Sequence, residues 1–426
     1  MTVDLISIMN VRTSIILVLV AMALAAGCGA PPAPFRRYET IAFKIAKDAD
    51  VKFAPAQRQS IDESLQGLFG TPDAPTLPAL EGIDIAEVMD LRKLQMAAGP
   101  VGSDEAGNPR GLYREHCAHC HGITGDGLGP TASFLNPYPR DYRKGQFKFK
   151  STPIGRKPTH DDLKKIVLEG VPGTAMPAFA LLPDLEVEAL VDYVKYLSIR
   201  GEVERGLLRA TTDLEEGQPI VTVALANATP EQQQAYQEQV AVVRDIAADY
   251  VGRWSEASQF ITEVPERPTM TEVELVESRR RGQTLFYGAV ANCVKCHGDS
   301  ALGDGQLTDY DEWTKEFIGD GKDLEVVHQY EALGMPTPRT IKPRNLRLGV
   351  YRGGMRPLDL YWRLRNGIEG TPMPAVTLKP AGDPNAKGLS ENDVWDIVNY
   401  VQSLPYESIS DPRDAAEQAV NPGNRL

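Results

Sequence analysis

Two short motifs of the same form constrain this chain of 426 residues more than any other feature. Each has two cysteines separated by two residues and followed at once by a histidine, at Cys117, Cys120 and His121 and again at Cys293, Cys296 and His297. A zinc half-site or a thioredoxin-type dithiol has no reason to place a histidine directly after the second cysteine, twice over. The pattern instead favours the signature of covalent haem attachment.

The spacing of this motif suits that chemistry. One turn of chain brings both thiols to the two vinyl groups of a single haem, while the adjacent imidazole can reach the iron from one face. The chain has five cysteines, too few for a disulfide scaffold at this length, and the fifth, Cys28, stands alone. We therefore expect two haem c groups.

The N-terminus has the layout of an export signal. An apolar run from Ile15 to Ala26 follows Arg12 and is too short to span a bilayer comfortably. The stretch from Leu24 to Cys28 resembles a bacterial lipoprotein cleavage box, except that its leucine lies one residue further from the cysteine than usual. We predict an exported, periplasmic-side protein that is anchored to the membrane by a lipid on Cys28, with a plain cleaved signal or an uncleaved anchor as the alternatives.

The chain also repeats a longer unit. The block from Gly170 to Ala178, which contains Met176, aligns without gaps on the block from Gly367 to Ala375, which contains Met373. Each block follows a short amphipathic helix that we expect to end at its glycine. Each also precedes a second helix with an apolar stripe, formed in the first copy by Val187, Leu190, Val191, Val194 and Leu197, and in the second by Val394, Ile397, Val398, Val401 and Leu404.

The copies differ between the haem motif and the methionine block. Residues 139–143 resemble residues 343–347, but the second copy is about 28 residues longer before that point, which defines an acidic insert at about 309–341. The first copy is strongly basic from Arg140 to Lys165. We expect the two copies to present different charge to separate partners.

A helical connector is predicted between the copies. Thr229 and Pro230 form a good helix start, and aromatic and apolar residues then recur at helical spacing as far as Trp254. The predicted organisation is a signal peptide at 1–28, an N-terminal extension of unknown role at 29–108, haem domains at 109–205 and 276–408, a helical linker at 206–275 and a polar tail at 409–426.

Taken together, these motifs resemble the small mono-haem cytochrome c domain, in two copies that cover about half of the chain. The resemblance implies a mainly α fold, thioether attachment at the four motif cysteines, and His121 and His297 as proximal iron ligands. It implies Met176 and Met373 as distal ligands, and His/Met ligation raises the reduction potential. In the family a proline carbonyl after the motif orients the proximal histidine. Pro130 fits that role in the first copy, but Gln306 stands at the corresponding position of the second.

Several other residues could compete for these roles. Met335, Met355 and His328 are alternatives to Met373 as the second distal ligand, whereas His116 and His119, on the attachment turn, are expected to be structural or exposed. His160 is expected to open the helix before the first methionine block. Arg140 and Arg344 could hold haem propionates, because a guanidinium fork suits a buried carboxylate.

Two functions of different classes fit these features. The first is electron transfer between redox proteins, as a carrier or as the cytochrome subunit of a respiratory complex, and without enzymatic activity. The alternative is a dihaem enzyme of the bacterial cytochrome c peroxidase type, in which one haem must have an open distal position. The net charge of −13 argues against a nucleic-acid partner.

Overall fold

The structure is a computed structural model that describes residues 33–222, 227–380 and 386–406. Within these residues the chain is mainly helical, as predicted, and from Phe35 onward it forms one compact unit. No helix of the described ranges is long and apolar enough to cross a membrane. The export signal, Cys28 and the polar tail lie outside these ranges, so those interpretations stay predictions.

The segment before the first haem motif is largely helical. Its elements are α1 (Glu39–Ala49), α2 (Pro55–Phe69) and α3 (Leu91–Ala97), followed by a short antiparallel hairpin of β1 (Gly102–Ser103) and β2 (Pro109–Arg110). Pro55 occupies the first position of α2, where its missing N–H costs no hydrogen bond. The Asp90 carboxylate caps α3 by accepting hydrogen bonds from the N–H groups of Arg92 and Lys93.

The first repeat is organised around one long helix. It consists of α4 (Leu112–His116), α5 (Ala118–His121), α6 (His160–Glu169) and α7 (Asp184–Thr211). His160 opens α6 and Gly170 ends it, both as predicted, and Thr159 caps its N-terminus. The predicted stripe of α7 is buried, as is every residue from Ala189 to Glu204.

The extension before the first motif packs against α7. The Tyr38 N–H donates to the Glu204 carboxylate (2.7 Å), the Tyr193 hydroxyl donates to Pro72 O (3.2 Å), and the Asp90 N–H donates to the Asp192 carboxylate (3.0 Å). These bonds join polar groups that burial would otherwise leave unsatisfied. The described part of the extension therefore covers the central helix of the first repeat.

The connector begins as predicted. Helix α8 (Pro230–Ser255) starts with Thr229 as its cap and Pro230 at its first position. Its C-terminal half is buried at Val243, Ala247, Tyr250 and Trp254, and the Trp254 Nε1–H donates to Glu202 of α7 at 2.9 Å. The connector is thus part of the packed structure.

The second repeat has the same order of elements with an addition. It consists of α9 (Glu272–Tyr287), α10 (Val294–His297), α11 (Glu312–Ile318), α12 (Leu324–Ala332), α13 (Pro357–Asn366) and α14 (Glu391–Ser403), where α11 and α12 belong to the insert. Single turns of 3-10 helix lie at Ile85–Glu87, Ala132–Phe134, Tyr142–Lys144, Glu256–Phe260, Leu346–Leu348 and Leu404–Tyr406. The predicted stripe of α14 is buried as well.

Each repeat has its own apolar core. One core is centred on α7 and also includes residues of the N-terminal extension and the connector, and the other is centred on α14. A third, small cluster of Ile318, Val327 and Tyr330 holds the insert together, and Phe43 of α1 contacts it with a ring-centroid distance of 5.4 Å to Tyr330. The insert of the second repeat therefore lies against the first half of the chain.

A pair of helical glycines tests the packing around α7. A Cβ on Gly201 would overlap the backbone of Arg143, whereas a Cβ on Gly67 of α2 would meet nothing within 4 Å. We expect Gly201→Ala to lower the free energy of unfolding by about 1–3 kcal/mol because the backbone must move. Gly67→Ala should raise it by about 0.5–1 kcal/mol, since alanine has the higher helix propensity. Denaturant unfolding of the haem-loaded protein measures both, and equal effects would contradict the packing described.

Candidate haem-binding sites

Both Cys-x-x-Cys-His motifs form one tight helical turn. The His121 N–H donates to Cys117 O and the His297 N–H donates to Cys293 O, each at 2.9 Å. In the first copy the turn ends at Gly122, whose carbonyl accepts a hydrogen bond from the buried Tyr113 hydroxyl (2.9 Å). This turn places the two thiols and the imidazole of each motif close together, as the spacing predicts.

Burial favours the protonated form of the first thiol in each motif. Burial raises the pKa of Cys117 and of Cys293 to about 12. The reactive thiols of thioredoxin-like proteins have a lowered pKa instead. Cys117 and Cys293 therefore lack the lowered pKa of a redox dithiol, in line with the preference for attachment.

A backbone carbonyl orients each motif histidine, but it is not the one that we expected. His121 Nδ1 donates to Arg140 O (3.0 Å), so the assignment of this role to Pro130 is wrong. His297 Nδ1 donates to Arg344 O (3.1 Å). The sequence left this partner open, because Gln306 stands where the first copy has Pro130. Arg140 and Arg344 occupy equivalent positions of the repeat. The alignment of Arg140 with Arg344 in sequence could have indicated a shared role. Only the fold shows that the chain passes close to the histidine at these two positions.

This hydrogen bond leaves the other ring nitrogen free as a ligand atom. Since a carbonyl can only accept, Nδ1 carries the proton and Nε2 has an available lone pair. Burial lowers the pKa of His121 to about 4 and also lowers that of His297. Both imidazoles are therefore neutral at physiological pH, which is the form that binds a metal.

The two methionine loops, residues 170–178 and 367–375, share one hydrogen-bond pattern. Met176 O accepts from the Val171 N–H (3.1 Å), the Met176 N–H donates to Thr174 Oγ1 (3.1 Å), and that hydroxyl donates to Val171 O (2.8 Å). The same three bonds join Met373, Ile368 and Thr371 at 3.1, 3.2 and 2.8 Å. The loops are thus the same structure, built twice.

A glycine begins each methionine loop for a steric reason. Gly170 and Gly367 have φ values of +67° and +68°, a region that residues with a Cβ seldom adopt. A Cβ at Gly170 would also lie 2.7 Å from Met176 O, and one at Gly367 would lie 2.9 Å from Met373 O. The glycine therefore allows the chain to turn at the end of the helix and to pass close to the methionine carbonyl.

A large cavity adjoins the first motif and has the groups that a haem needs. It has a volume of about 1240 Å³ and is lined by Cys117, Cys120, His121 and Met176. This exceeds the range of about 300–1,000 Å³ usual for small-molecule sites. The residues fit a covalently attached haem with His/Met ligation, because both thiols, the free imidazole nitrogen and the thioether line one space. In the second repeat Cys293 and Met373 likewise pack against the same core.

The competing ligand candidates lie elsewhere. Met335 of the insert lines the cavity of the first repeat, Met355 is exposed, and His328 is exposed on α12. His119 is exposed, and His116 packs edge-on against Phe179. The shared loop geometry makes Met373 the counterpart of Met176.

The insert covers the cavity of the first repeat. Trp313, Phe317 and Met335 form part of its wall. Lys144 pairs with Glu316 at 2.7 Å, and the Arg339 guanidinium donates to the carbonyls of Leu135 (2.6 Å) and Ser133 (3.0 Å). The second repeat thus contributes one wall of the first site.

Four lysines of the basic segment from Arg140 to Lys165 form ion pairs within the protein. Lys144 pairs with Glu316 of the insert, Lys150 with Glu369, Lys157 with Glu202, and Lys165 with Asp359. Three of these four acidic partners belong to the second repeat. One of them, Glu316, lies in the acidic insert. These four lysines are therefore paired within the protein rather than presented to a partner, whereas the contact of the acidic insert with a separate partner stays a prediction.

Hydrogen bonds complete the contact between the repeats. Ser151 O accepts from the Thr262 N–H (2.9 Å) and from the Asn366 side chain (3.0 Å), and the Thr262 hydroxyl donates to Asn366 Oδ1 (2.6 Å). The Trp362 Nε1–H donates to Thr262 O (3.1 Å). Because these polar groups satisfy one another, the interface can exclude water.

The two arginines considered for propionates lie at this contact. Arg140 lines the cavity with its guanidinium carbon 3.4 Å from the ring centroid of Trp313, and burial lowers the pKa of Arg140 to about 10. Arg344 Nε donates to Val350 O at 2.7 Å. Their propionate role stays a prediction.

Two stretches of the chain match known protein families. Residues 104–194 match the family model for cytochrome c oxidase, cbb3-type, subunit III, and residues 280–405 match the family model for cytochrome c. No curated protein matches the chain. A solved chain of the Kuenenia stuttgartiensis reducing HAO-like protein complex is 23% identical, with 72% of this chain and 98% of that chain covered and a TM-score of 0.42.

The threonines of the methionine loops give one test of the geometry. Thr174→Val and Thr371→Val keep the side-chain shape but remove the acceptor for the methionine N–H. Each should lower the free energy of unfolding by about 1–3 kcal/mol, the cost of an unsatisfied amide. Thr212→Val, which removes an exposed bond to Arg209 O, should change it by less than about 0.5 kcal/mol. Denaturant titration measures all three, and a similarly small effect for the loop variants would contradict the described bonds.

The ion pairs of Asp359 predict a pH dependence. Burial opposes its ionisation, but hydrogen bonds from Arg356 and Lys165 outweigh burial and lower the pKa of Asp359. A lowered folded pKa contributes stability above the unfolded value of about 4, and that contribution is lost as pH falls through the folded value. Asp359→Asn should therefore cost about 1.5–3 kcal/mol at neutral pH.

The difference in the free energy of unfolding between Asp359→Asn and the wild type should close as the pH falls below about 4. Unfolding titrations at several pH values measure it. Asp249→Asn, at an exposed pair with Arg253, serves as the control and should cost no more than about 0.5 kcal/mol. A gap that stays constant down to low pH would show that Asp359 is not held ionised.

Proposed function

We propose that this chain, which carries two cytochrome c domains and is a dihaem c-type cytochrome, passes single electrons between redox proteins, as a carrier or as the cytochrome subunit of a respiratory complex. The thioether attachment sites are Cys117, Cys120, Cys293 and Cys296. The axial pairs are His121 with Met176 and His297 with Met373. One observation carries this proposal: both repeats present the same methionine loop together with the same carbonyl-anchored histidine.

The chain's own residues set the conditions for this function. When bound, the haem supplies reversible one-electron iron chemistry. The carbonyls of Arg140 and Arg344 keep Nε2 of each imidazole free of a proton. The methionine thioether is a soft, neutral ligand, which favours ferrous over ferric iron and so a high potential.

The matching loops also favour electron transfer over the peroxidase alternative. A peroxidase needs one haem with an open distal position. The second repeat was the candidate for such a site, because it has the insert and lacks the proline. Its histidine is nevertheless anchored as in the first repeat, and its methionine loop has the same hydrogen bonds. These features support a closed, six-coordinate site in both repeats.

Redox proteins are the proposed partners, and the faces beside the motifs are the proposed places of contact. With four lysines of the basic segment paired within the fold, apolar side chains close to the motifs in sequence remain accessible, such as Phe134 (85% exposed) and Val290 (57% exposed). Transient electron-transfer contacts are small, below about 1,200 Å². Because c-type cytochromes are typically extracytoplasmic, we place the chain on the periplasmic side, with Cys28 as its lipid anchor.

Methionine substitution tests the ligand assignment. The wild-type protein should contain two haems by pyridine haemochrome and show low-spin spectra with the methionine-to-iron charge-transfer band. Met176→Leu and Met373→Leu should each remove about half of that band and lower the potential of one haem, because a soft ligand that favours ferrous iron is lost. Met335→Leu and Met355→Leu are the matched controls and should leave the band unchanged.

Different outcomes would point to different functions. Loss of the band in a control variant would reassign the ligand to that methionine. A high-spin haem in the wild-type protein that binds peroxide after partial reduction would overturn electron transfer as the primary role and favour the peroxidase.

A further inference from the structure

The arginines that anchor the two histidines reach across the contact between the repeats. The carbonyl of Arg344 holds His297 of the second repeat, while its guanidinium lies against Gly173 in the methionine loop of the first. A Cβ on Gly173 would lie only 2.5 Å from Arg344 Nη2. One residue therefore contacts the proximal side of the second site and the distal loop of the first.

The equivalent arginine of the first repeat, Arg140, is connected to the methionine loop of the second repeat through the ring of Trp313. The carbonyl of Arg140 holds His121, and its guanidinium carbon lies 3.4 Å from the ring centroid of Trp313. The same ring lies against Gly370 in the second methionine loop, where a Cβ would overlap the indole. The neighbouring Glu312 N–H donates to Gly370 O at 3.3 Å, which fixes the insert to that loop.

These two connections are related by the internal repeat. Arg140 aligns with Arg344, and Gly173 aligns with Gly370, three residues before each methionine. Both glycines have positive φ, at +74° and +72°, and both lack the side chain that would block the approach. Both connections therefore run from an arginine to a loop glycine. Arg344 contacts Gly173 directly, whereas Trp313 of the insert lies between Arg140 and Gly370.

We infer that Arg344 and Trp313 are positioning residues for the distal methionine loops. Arg344 of the second repeat sets the loop of the first, and Trp313 of the insert transmits the position of Arg140 in the first repeat to the loop of the second. The inference rests on the proposed His/Met ligation. Close packing transmits displacement, because a filled contact deforms little. A change at Arg344 therefore alters the position of Met176, and a change at Trp313 breaks the path from Arg140 to the loop of Met373, so that the two haem sites form one coupled unit.

Trp313 is suited to this role by its surroundings as well as its size. Arg140 and Lys148 both lie over the ring, with Lys148 Nζ at 5.0 Å from the centroid, so that cation–π attraction holds the indole in place. The ring also lines the first cavity. It thus fills the space between the first site and the second methionine loop.

Proton NMR of the reduced, haem-loaded protein tests this inference. The methyl signals of the two axial methionines, assigned with Met176→Leu and Met373→Leu, report the local geometry of each loop. Arg344→Gln should shift the Met176 signal, although Arg344 belongs to the second repeat. Trp313→Leu should shift the Met373 signal, although Trp313 lines the first cavity. Trp313→Phe, which keeps an aromatic ring in place, should restore most of the wild-type position.

Arg339→Gln is the matched control. It also removes a contact between the insert and the first repeat, at Ser133 and Leu135, but it touches neither methionine loop in the described contacts. Neither methyl signal should move. If Arg344→Gln fails to fold, Arg344→Lys takes its place, because it keeps the charge and should shift the Met176 signal by a smaller amount.

The outcomes separate this inference from the proposed function. Absence of both axial methionine signals in the wild-type protein would overturn the ligation itself. Two wild-type signals, with Arg344 variants that move only the Met373 signal and Trp313→Leu that moves only the Met176 signal, would keep the ligation and overturn the crossed positioning.

Discussion

The hydrogen bond from each motif histidine to a backbone carbonyl organises both halves of this protein. His121 Nδ1 meets Arg140 O and His297 Nδ1 meets Arg344 O, across 19 and 47 residues of chain. The bond fixes the imidazole and its tautomer, which leaves Nε2 with an available lone pair. It also fixes the chain at the arginine, so that the guanidinium projects into the contact between the repeats. This one hydrogen bond therefore fixes both the orientation of the imidazole and the position of the arginine at the contact between the repeats.

The interface explains why the two repeats pack into one compact unit from Phe35 onward, instead of standing apart on a linker. The basic segment of the first repeat is neutralised by Glu316, Asp359 and Glu369 of the second. Buried cations are tolerated where carboxylates and carbonyls satisfy them, and they destabilise the fold where they are left alone. The insert supplies Glu316 together with Trp313 and Phe317, and so it completes the wall of the first cavity.

The sequence-based interpretation succeeded where a local pattern has one structural meaning. The apolar stripes of α7 and α14, the start of α8 at Thr229 and the helix ends at Gly170 and Gly367 all follow from periodicity and capping. It was wrong about Pro130, because the position of a carbonyl relative to a histidine depends on the path of the intervening loop. It also missed that the lysines of the basic segment are paired within the protein, because a linear segment does not show which opposite charges it meets.

The sequence by itself determined the attachment motifs, the repeated methionine loops and the helical character, because each is specified by residues within a few turns of one another. The tertiary structure decided the partner of each imidazole, the burial of the basic segment, and the contacts of Arg344 with the first methionine loop and of Trp313 with the second. Those features join residues 19 to 194 positions apart. No local pattern encodes such contacts, since they arise only when the two repeats pack together.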